Sequence, residues 1–179
     1  MNEPILIIYG PSGAGKSHFG PLVANELNYL YIELDRWREG DGIDLAGFRN
    51  EWDAFKNQND PKYLAEELRK RIQVEGKEGA VLTLPSKYSF PLELIEKAES
   101  YGFRFVIIFG PKEDCCRAFI EREKALGHDV TESDWGVNNE YYYEINCGPE
   151  YKIYQVNAFE GSTRRKQENI IEDIKRVHL

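Results

Sequence analysis

The sequence predicts an α/β fold in which a five-stranded, mainly parallel sheet carries helices on both faces. Short apolar runs typical of buried strands alternate along the chain with amphipathic passages of helical length. A glycine-rich motif separates the first apolar run from the first helical passage, which is the strand–loop–helix unit of a parallel sheet. Because ligands bind beyond the carboxyl ends of such strands, we expect the functional residues there.

The first strand and the first helix enclose a phosphate-binding motif. The strand is predicted at Ile5–Tyr9, and the amphipathic stretch after the motif has apolar residues at positions 19, 22, 23 and 27. Between them, residues 10–17 read Gly-Pro-Ser-Gly-Ala-Gly-Lys-Ser and satisfy G-x-x-x-x-G-K-S/T at every constrained position. Since the motif has the flanking strand and helix that it requires, the sequence predicts a P-loop NTPase fold rather than a glycine-rich turn that binds nothing.

Each residue type in this loop suits the binding of a polyphosphate. The three glycines let the backbone curl tightly and turn successive N–H groups inward. Lys16 is expected to neutralise the β- and γ-phosphates, and the Ser17 hydroxyl is expected to ligate Mg²⁺. The predicted nucleotide-binding residues of this segment are Gly10, Ser12, Gly13, Ala14, Gly15, Lys16, Ser17 and His18.

The middle of the chain supplies the second and third strands and the helices between them. Residues 29–34 are predicted as the second strand, which ends at Asp35, and a charged, glycine-containing loop is expected over residues 36–44. Two helical stretches follow, and the second opens at Asp60-Pro61, an N-cap residue before a proline at the first helical position. Residues 80–84 form the third predicted strand.

The C-terminal half continues the alternation of strands and helices. An amphipathic helix with an apolar face closes the chain, and the passage before the last strand is polar, aromatic and less regular. The predicted elements are a helix over residues 91–100, a strand over Phe103–Phe109, a helix over 113–126, the irregular passage over 128–148 and a strand within 151–159.

Composition and charge narrow the functional class. The 179 residues with a hydrophobic fraction of 41% suffice for one domain over residues 1–179, and a small lid is expected around residues 117–140. The net charge of −8 repels nucleic-acid phosphates, so no nucleic-acid partner is expected. The basic runs at residues 69–71 and 164–166 are interpreted as solvated faces of predicted helices.

Compartment and partners are also constrained by composition. The sequence shows no secretory leader and no apolar run of membrane-spanning length, so we expect a soluble, cytoplasmic protein without a membrane partner. Its three cysteines, two of them adjacent, fit neither a disulfide framework nor a zinc site, which favours a reducing compartment. The oligomeric state stays open.

Asp35 is the second candidate site residue. A carboxylate at the end of the second strand can accept a proton from an acceptor hydroxyl or orient water bound to Mg²⁺. We therefore predict Lys16 and Asp35 as catalytic residues and Ser17 and Asp35 as metal ligands. The alternative is that Asp35 is a strand-end turn residue or an ion-pair partner of Arg36.

The third predicted strand ends without a carboxylate. Thr83 and Leu84 stand where many phosphate-loop NTPases carry an aspartate that helps to hold Mg²⁺, so the metal is expected on Ser17, the phosphates, water and Asp35. Loops beyond strand ends are expected to bind the acceptor, although exposed loop cations are an alternative for the basic residues. The predicted substrate-binding residues are Asp35, Arg36, Arg38, Ser86 and Lys87.

Basic residues on and after the helix that follows the fourth strand are candidates for closing over the phosphates. An arginine in that position stabilises the charge on the transferred phosphoryl group, and closure excludes water. We predict Arg122 as a catalytic residue and Arg117 as a nucleotide contact, and either one could be the lid arginine. The alternative is a charged helix surface, and His128 is expected to be a capping or solvent-facing residue at least as readily as a catalytic one.

These motifs resemble the small P-loop phosphotransferases, such as the gluconate kinases, shikimate kinases and chloramphenicol phosphotransferases. The resemblance implies that Asp35 contacts the acceptor, that Arg122 is the lid arginine, and that Asn157 lies where these kinases contact adenine. Ser86 and Lys87 are similar to the residues that follow the third strand of gluconate kinases. The residues that follow the second and third strands depart from the gluconate and shikimate kinase patterns, so the acceptor stays unnamed.

The expected function is phosphoryl transfer from ATP, with Mg²⁺, to a hydroxyl or phosphate of a small-molecule acceptor. The chain has no guanine-reading Asn-Lys-x-Asp motif, which favours adenine over guanine. The main alternative is a nucleotide-binding or nucleotide-hydrolysing regulatory module that acts on a protein partner. A weaker third hypothesis is a toxin-like kinase acting on a cell-wall nucleotide sugar.

Overall fold

The computed structural model describes residues 3–35 and 42–178, and a parallel sheet lies at its centre. Five strands pair in the order β2-β3-β1-β4-β5, and every pairing within this sheet is parallel. The central strand β1 aligns Ile5 with Ala80 of β3 on one side and with Phe103 of β4 on the other. The strands are β1 (Ile5–Tyr9), β2 (Leu30–Glu33), β3 (Ala80–Thr83), β4 (Phe103–Phe109) and β5 (Gln155–Asn157).

Helices connect the strands, so the parallel pairings arise through helical crossovers. A short antiparallel hairpin of β6 (Phe159–Glu160) and β7 (Thr163–Arg164) follows β5, which is itself preceded by a 3₁₀ turn at Pro149–Tyr154. The helices are α1 (Lys16–Glu26), α2 (Gly42–Ala46), α3 (Arg49–Asn57), α4 (Lys62–Val74), α5 (Leu92–Glu99), α6 (Lys112–Ala125), α7 (Glu132–Asn146) and α8 (Gln167–His178).

Successive side chains of β1 point to opposite faces of the sheet, so they pack into two separate layers of the core. Ile5, Ile7 and Tyr9 face a cluster that includes residues of α3, α4 and α5, whereas Leu6 and Ile8 face one that includes residues of α1 and α8. All five side chains are fully buried. Because each buried aliphatic side chain contributes about 1.5–3 kcal/mol, both faces fix the position of β1 and of the loop at its carboxyl end.

Sequence patterns predicted most of these strands and helices. The predicted bounds of β1 and β4 are confirmed, β2 is shorter by a residue at each end, and β3 lacks the last predicted residue. The predicted α/β fold with a five-stranded parallel sheet is confirmed. In the described residues between β2 and β3 there are three helices rather than two. The loop expected up to residue 44 is wrong at its end, because α2 begins at Gly42. Residues 36–41 of that loop lie outside the described residues.

The prediction for residues 128–148 is wrong, because most of that stretch forms α7. Thr131 caps this helix with a reciprocal capping box, in which its side chain accepts from the Asp134 backbone and the Asp134 carboxylate accepts from the Thr131 backbone. Its buried residues, Trp135, Asn139 and Asn146, recur at helical spacing, but two of them are polar. The helix therefore lacks the apolar stripe that sequence patterns detect.

The assignment of residues 164–166 to a helix face is also wrong. Arg164 lies on β7, and α8 begins only at Gln167. Gly161, with φ +57°, supports the turn of the β6–β7 hairpin that positions this arginine.

Among the described residues, no helix combines the length and the apolar composition that a bilayer crossing requires.

Candidate nucleotide-binding and active site

The loop between β1 and α1 requires glycine at three positions. Gly10, Gly13 and Gly15 have φ values of +135°, +86° and +110°, which side-chain-bearing residues rarely adopt. A Cβ on Gly10 would overlap the carbonyl of Ile108, and a Cβ on Gly13 would overlap that of Cys115. The loop is therefore pressed against β4 and α6, which leaves no space for side chains at these two positions.

The backbone amides of this loop are available to a ligand. Among the described residues, the N–H groups of Gly13, Gly15, Lys16 and Ser17 donate to no protein acceptor. Unpaired amides at a helix N-terminus form an anion-binding site, and the positive end of the α1 dipole lies at the same place. The peptide groups are thus arranged for a phosphate group.

Partners on the outer side of the loop hold its carbonyl groups. Arg164 donates to the carbonyl oxygens of Gly13 and Ala14, at 2.5 and 2.6 Å. Its guanidinium also lies 4.5 Å from the centroid of the Phe159 ring, and burial lowers its pKa. The Ala14 carbonyl points away from the Gly15 N–H of the same peptide unit, so its bond to Arg164 keeps that unpaired amide directed inward.

Helix α7 also holds the loop, through Ser12. The indole Nε1 of Trp135 donates to the Ser12 carbonyl oxygen at 3.0 Å, and the Ser12 N–H donates to Oδ1 of Asn139 at 2.6 Å. Both side chains are only 1% exposed. Neither residue belongs to the sequence motifs that predicted the site.

Lys16 is the buried cation of the site. Its Nζ lies 3.2 Å from the carbonyl oxygen of Pro11, and only 4% of the residue is exposed. Burial lowers the pKa of Lys16, the negative charge of Asp35 opposes that shift, and the positive charge of Arg122 adds to it. Asp35 and Arg122 therefore both lie close enough to Lys16 to influence its charge.

These residues line one open cleft of about 570 Å³. The cleft brings residues from the phosphate loop, the end of β2, helix α6 and strand β7 to the carboxyl edge of the sheet. Its lining residues are Ser12, Gly13, Gly15, Lys16, Ser17, His18, Asp35, Ala118, Arg122 and Arg164. His18 is exposed, and its Nε2 lies 3.0 Å from Oε1 of Gln167.

Residues at the end of β2 supply the acidic groups near Lys16. Asp35 follows β2 and is half-buried, and Glu33, the last residue of β2, also raises the pKa of Lys16. At the end of β3 the Thr83 hydroxyl is buried and lies 2.9 Å from the Tyr31 hydroxyl. In the described part of the chain, no group of three His, Cys, Asp or Glu side chains is arranged to hold a metal ion.

The two arginines of α6 occupy different places. Arg122 lines the cleft, where its guanidinium binds the Glu123 carboxylate and lies 5.6 Å from the Phe119 ring centroid. Arg117 pairs with the Asp114 carboxylate, donates to the Ser162 carbonyl oxygen at 3.1 Å, and lines a separate groove between α6 and α7.

Three other predicted site residues, Asn157, Ser86 and Lys87, do not line this cleft. Asn157 ends β5, where its Oδ1 accepts from the Phe159 N–H at 3.0 Å. Ser86 is buried and Lys87 is exposed in the segment after β3. Arg36 and Arg38 lie outside the described residues.

A parallel sheet of this order with a phosphate loop after its central strand has the fold of the small P-loop kinases. A gluconokinase from Sinorhizobium meliloti 1021 superposes with a TM-score of 0.55 at 16% identity, over 99% of this chain and 92% of that one. A shikimate kinase from Acinetobacter baumannii, in complex with shikimate, superposes with a TM-score of 0.50 at 17% identity, over 97% and 92% of the two chains.

Sequence similarity points to the same group. A shikimate kinase from Chlorobium chlorochromatii (strain CaD3) is 36% identical over 102 residues, which cover 55% of this chain and 51% of that protein. The chain thus spans about half the length of this curated relative. No protein-family model matches the chain. The resemblance to gluconate and shikimate kinases that the sequence motifs indicate is confirmed.

Proposed function

We propose that the protein is an ATP-dependent kinase that transfers the γ-phosphoryl group to a hydroxyl or phosphate of a small molecule. The observation that carries this proposal is the cleft itself, in which Lys16, Asp35 and Arg122 lie beside the unpaired amides of the phosphate loop. The likeness to gluconokinase and shikimate kinase supports a small-molecule acceptor over a protein partner.

The loop fits the polyphosphate of a nucleotide. Four unpaired amides, the N-terminus of α1 and the Lys16 ammonium all present positive charge to the cleft, and Arg164 adds a further cation at its rim. Close contacts fill the positions of the missing Cβ atoms at Gly10 and Gly13, so a bulkier loop cannot form the same cradle. The absence of a guanine-reading motif from the sequence favours ATP as the donor.

Ser17 and Asp35 would hold Mg²⁺, because hydroxyl and carboxylate oxygens are the hard ligands that this ion prefers. Since β3 ends in Thr83, the protein offers few carboxylates, and phosphate oxygens and water would complete the coordination. When bound, the ion neutralises charge that develops on the phosphate oxygens.

Each of the three side chains is proposed to have its own role in the phosphoryl transfer. The acceptor oxygen forms a bond to the γ-phosphorus while its proton passes to the Asp35 carboxylate, and the bond from that phosphorus to the β–γ bridging oxygen breaks to release ADP. The Lys16 ammonium and the Arg122 guanidinium stabilise the negative charge of the transferred group. The segment around residues 117–140 is proposed as the lid that excludes water. Because Trp135 and Asn139 of this segment bond the phosphate loop, its movement would be confined to the turn between α6 and α7.

The acceptor would lie on the Asp35 side of the cleft. The residues proposed to bind it follow β2 and β3 in the sequence, and the carboxyl ends of these strands lie at the same edge of the sheet. They are Arg36, Arg38, Ser86 and Lys87. Arg117 and Asn157 are proposed to contact the nucleotide, since they lie on the helix that lines the cleft and at the carboxyl end of β5. We further propose a cytoplasmic enzyme without a nucleic-acid partner, which suits the net charge of −8.

The test is ADP release in the presence of ATP, Mg²⁺ and a panel of sugars, nucleoside monophosphates, shikimate-like acids and aminoglycosides. We expect one acceptor class to raise ADP release well above the rate with water alone. Lys16→Ala should abolish that increase, whereas Lys70→Ala, a change at an exposed lysine of α4, should leave it intact. A folded Lys16→Ala protein with normal turnover would remove the assignment.

A further inference from the structure

Helix α7 hydrogen-bonds the phosphate loop at Ser12, where it engages both the N–H and the carbonyl group of the backbone. Trp135 donates to the Ser12 carbonyl oxygen at 3.0 Å, and Asn139 accepts from the Ser12 N–H at 2.6 Å. These positions are four residues apart, so both side chains project from one face of the helix. The two bonds fix the peptide groups on either side of the Ser12 Cα.

The Asn139 side chain is oriented by a contact of its own. Its Nδ2 donates to the carbonyl oxygen of Trp135 at 2.8 Å, which turns Oδ1 toward Ser12. The side chain is almost completely buried, so water does not compete for these bonds. Because a buried amide needs hydrogen-bond partners for its nitrogen and its oxygen, the two bonds satisfy the Asn139 side chain. Its Nδ2 donates to the helix, and its Oδ1 accepts from the loop.

The other end of α7 contacts the segment that follows β3. Asn146 lies seven residues after Asn139 on the same face, and its Nδ2 donates to the carbonyl oxygen of Tyr88 at 2.8 Å. Between these contacts, the Tyr143 hydroxyl donates to the Gly110 carbonyl oxygen at 2.9 Å, at the end of β4. One helix therefore bonds both the phosphate loop and the segment proposed to bind the acceptor.

We infer that Trp135 and Asn139 are positioning residues for the phosphate loop, and that α7 couples the acceptor segment to it. The loop contains three glycines with positive φ, so its conformation needs external support. Fixing Ser12 orders the backbone immediately before Gly13, whose amide is the first unpaired donor of the cradle. Support of this kind raises affinity by ordering the site before the ligand binds.

The inference rests on the proposed function in one respect, namely that the unpaired amides bind a nucleotide. It also assigns a different role to the Ser12 N–H itself. Because this group already donates to Asn139, the phosphates are held by the amides that follow it.

The first measurement is the affinity for ADP with Mg²⁺ by calorimetry, in the full chain. Asn139→Leu removes the acceptor and keeps the branching at Cγ, and Trp135→Phe removes the indole donor and keeps an aromatic ring. We expect each variant to raise the Kd by about tenfold, as the loss of a buried hydrogen bond implies. Asn138→Leu is the matched control, since that side chain is exposed on the same helix and, among the described residues, bonds only to the Asp134 carbonyl oxygen of that helix.

The second measurement reports the Ser12 amide without any nucleotide. In ¹H–¹⁵N spectra we expect the Ser12 signal to move upfield in Asn139→Leu and to keep its place in Asn138→Leu. Asn139→Asp retains an oxygen acceptor and should keep the signal downfield. A general loss of stability would move many amides, so this pattern separates positioning from a merely structural effect. If Asn139→Leu fails to fold, Trp135→Phe carries the test through the ADP affinity, with Asn139→Asp as the variant that keeps the acceptor.

The coupling is tested at the far end of the helix. Asn146→Leu removes the bond to Tyr88 and should raise the Kd for ADP by about threefold, although it lies far from the loop along α7. An unchanged Kd in this variant would overturn the coupling.

The outcomes separate the inference from the function on which it rests. Wild-type protein that does not bind ADP would contradict the proposed function, while the Ser12 signal would still decide the positioning role. Wild-type protein that binds ADP, with an Asn139→Leu variant that binds equally well and shows an unmoved Ser12 signal, would overturn the inference alone.

Discussion

The Arg122 guanidinium donates two hydrogen bonds to one carboxylate oxygen of Glu123, from Nε at 3.1 Å and from Nη2 at 2.8 Å. Glu123 is only 2% exposed, and its other oxygen lies 3.0 Å from Nδ1 of His128. A buried carboxylate thus holds the cleft arginine on one side and the residue after the helix-ending Gly127 on the other. The orientation of Arg122 at the cleft depends on this carboxylate.

Glu123→Gln should lower the turnover number by about tenfold, because a neutral amide holds the guanidinium more weakly than a carboxylate does. The affinity for ADP should change little, since Glu123 does not line the cleft. Steady-state kinetics together with calorimetry would measure both quantities. Glu121→Gln, at an exposed position of the same helix, is the control. Equal turnover in the two variants would show that Arg122 needs no such support.

Asp35→Asn should reduce turnover by a factor of about 10²–10⁴, the range that general base catalysis supplies. The affinity for the nucleotide without Mg²⁺ should be preserved, because the phosphates are proposed to bind to amides and to Lys16. Kinetics with the best acceptor and calorimetry with ADP in a chelating buffer separate these effects. An unchanged rate would show that Asp35 is a structural residue at the end of β2.

Arg164→Ala should weaken ADP binding by about tenfold, since it frees two loop carbonyls that the guanidinium now fixes. The melting temperature should fall as well, because these bonds hold β7 to the loop. Arg176→Ala is the control, as that arginine is exposed and pairs only with a surface carboxylate of its own helix, within the described contacts. Identical ADP affinity in both variants would remove Arg164 from the site.

Gly13→Ala should abolish nucleotide binding and destabilise the fold. The new Cβ would overlap the Cys115 carbonyl, and the φ of +86° adds strain of about 1–2 kcal/mol. Gly76→Ala is a close control, because Gly76 has a φ of +63° and no atom within 4 Å of the added Cβ. It should show the strain alone and bind ADP normally. If both variants bind ADP equally, close packing of the loop against α6 is not needed.

Local sequence patterns predicted the parts of the molecule that are encoded locally. The phosphate loop has fixed spacing and a strand and a helix beside it, and β1 and β4 are continuous apolar runs with clear ends. Asp35 could be placed because a strand end in a parallel sheet determines which edge a residue occupies.

The residues that hold the phosphate loop and Arg122 in place could not be predicted from local sequence patterns. Arg164 lies 150 residues from Ala14 in sequence, and the pairing of two-residue strands brings them together. The loop-facing residue Asn139 is polar, so α7 shows no apolar stripe. Glu123 stands in a run of charged residues that resembles a helix surface, and its burial follows only from the packing of α6.

The phosphate loop is proposed to bind a nucleotide through its amides and Lys16. Thermal melting with and without saturating ADP and Mg²⁺ tests this binding most directly, with Lys16→Ala as the comparison. At a hundred times the Kd, a ligand stabilises the fold by about 2.7 kcal/mol, which raises the melting temperature of a domain of this size by about 5–10 °C. We predict that shift for the wild-type protein and its loss in Lys16→Ala. No shift in the wild-type protein at millimolar ADP or ATP would contradict the account.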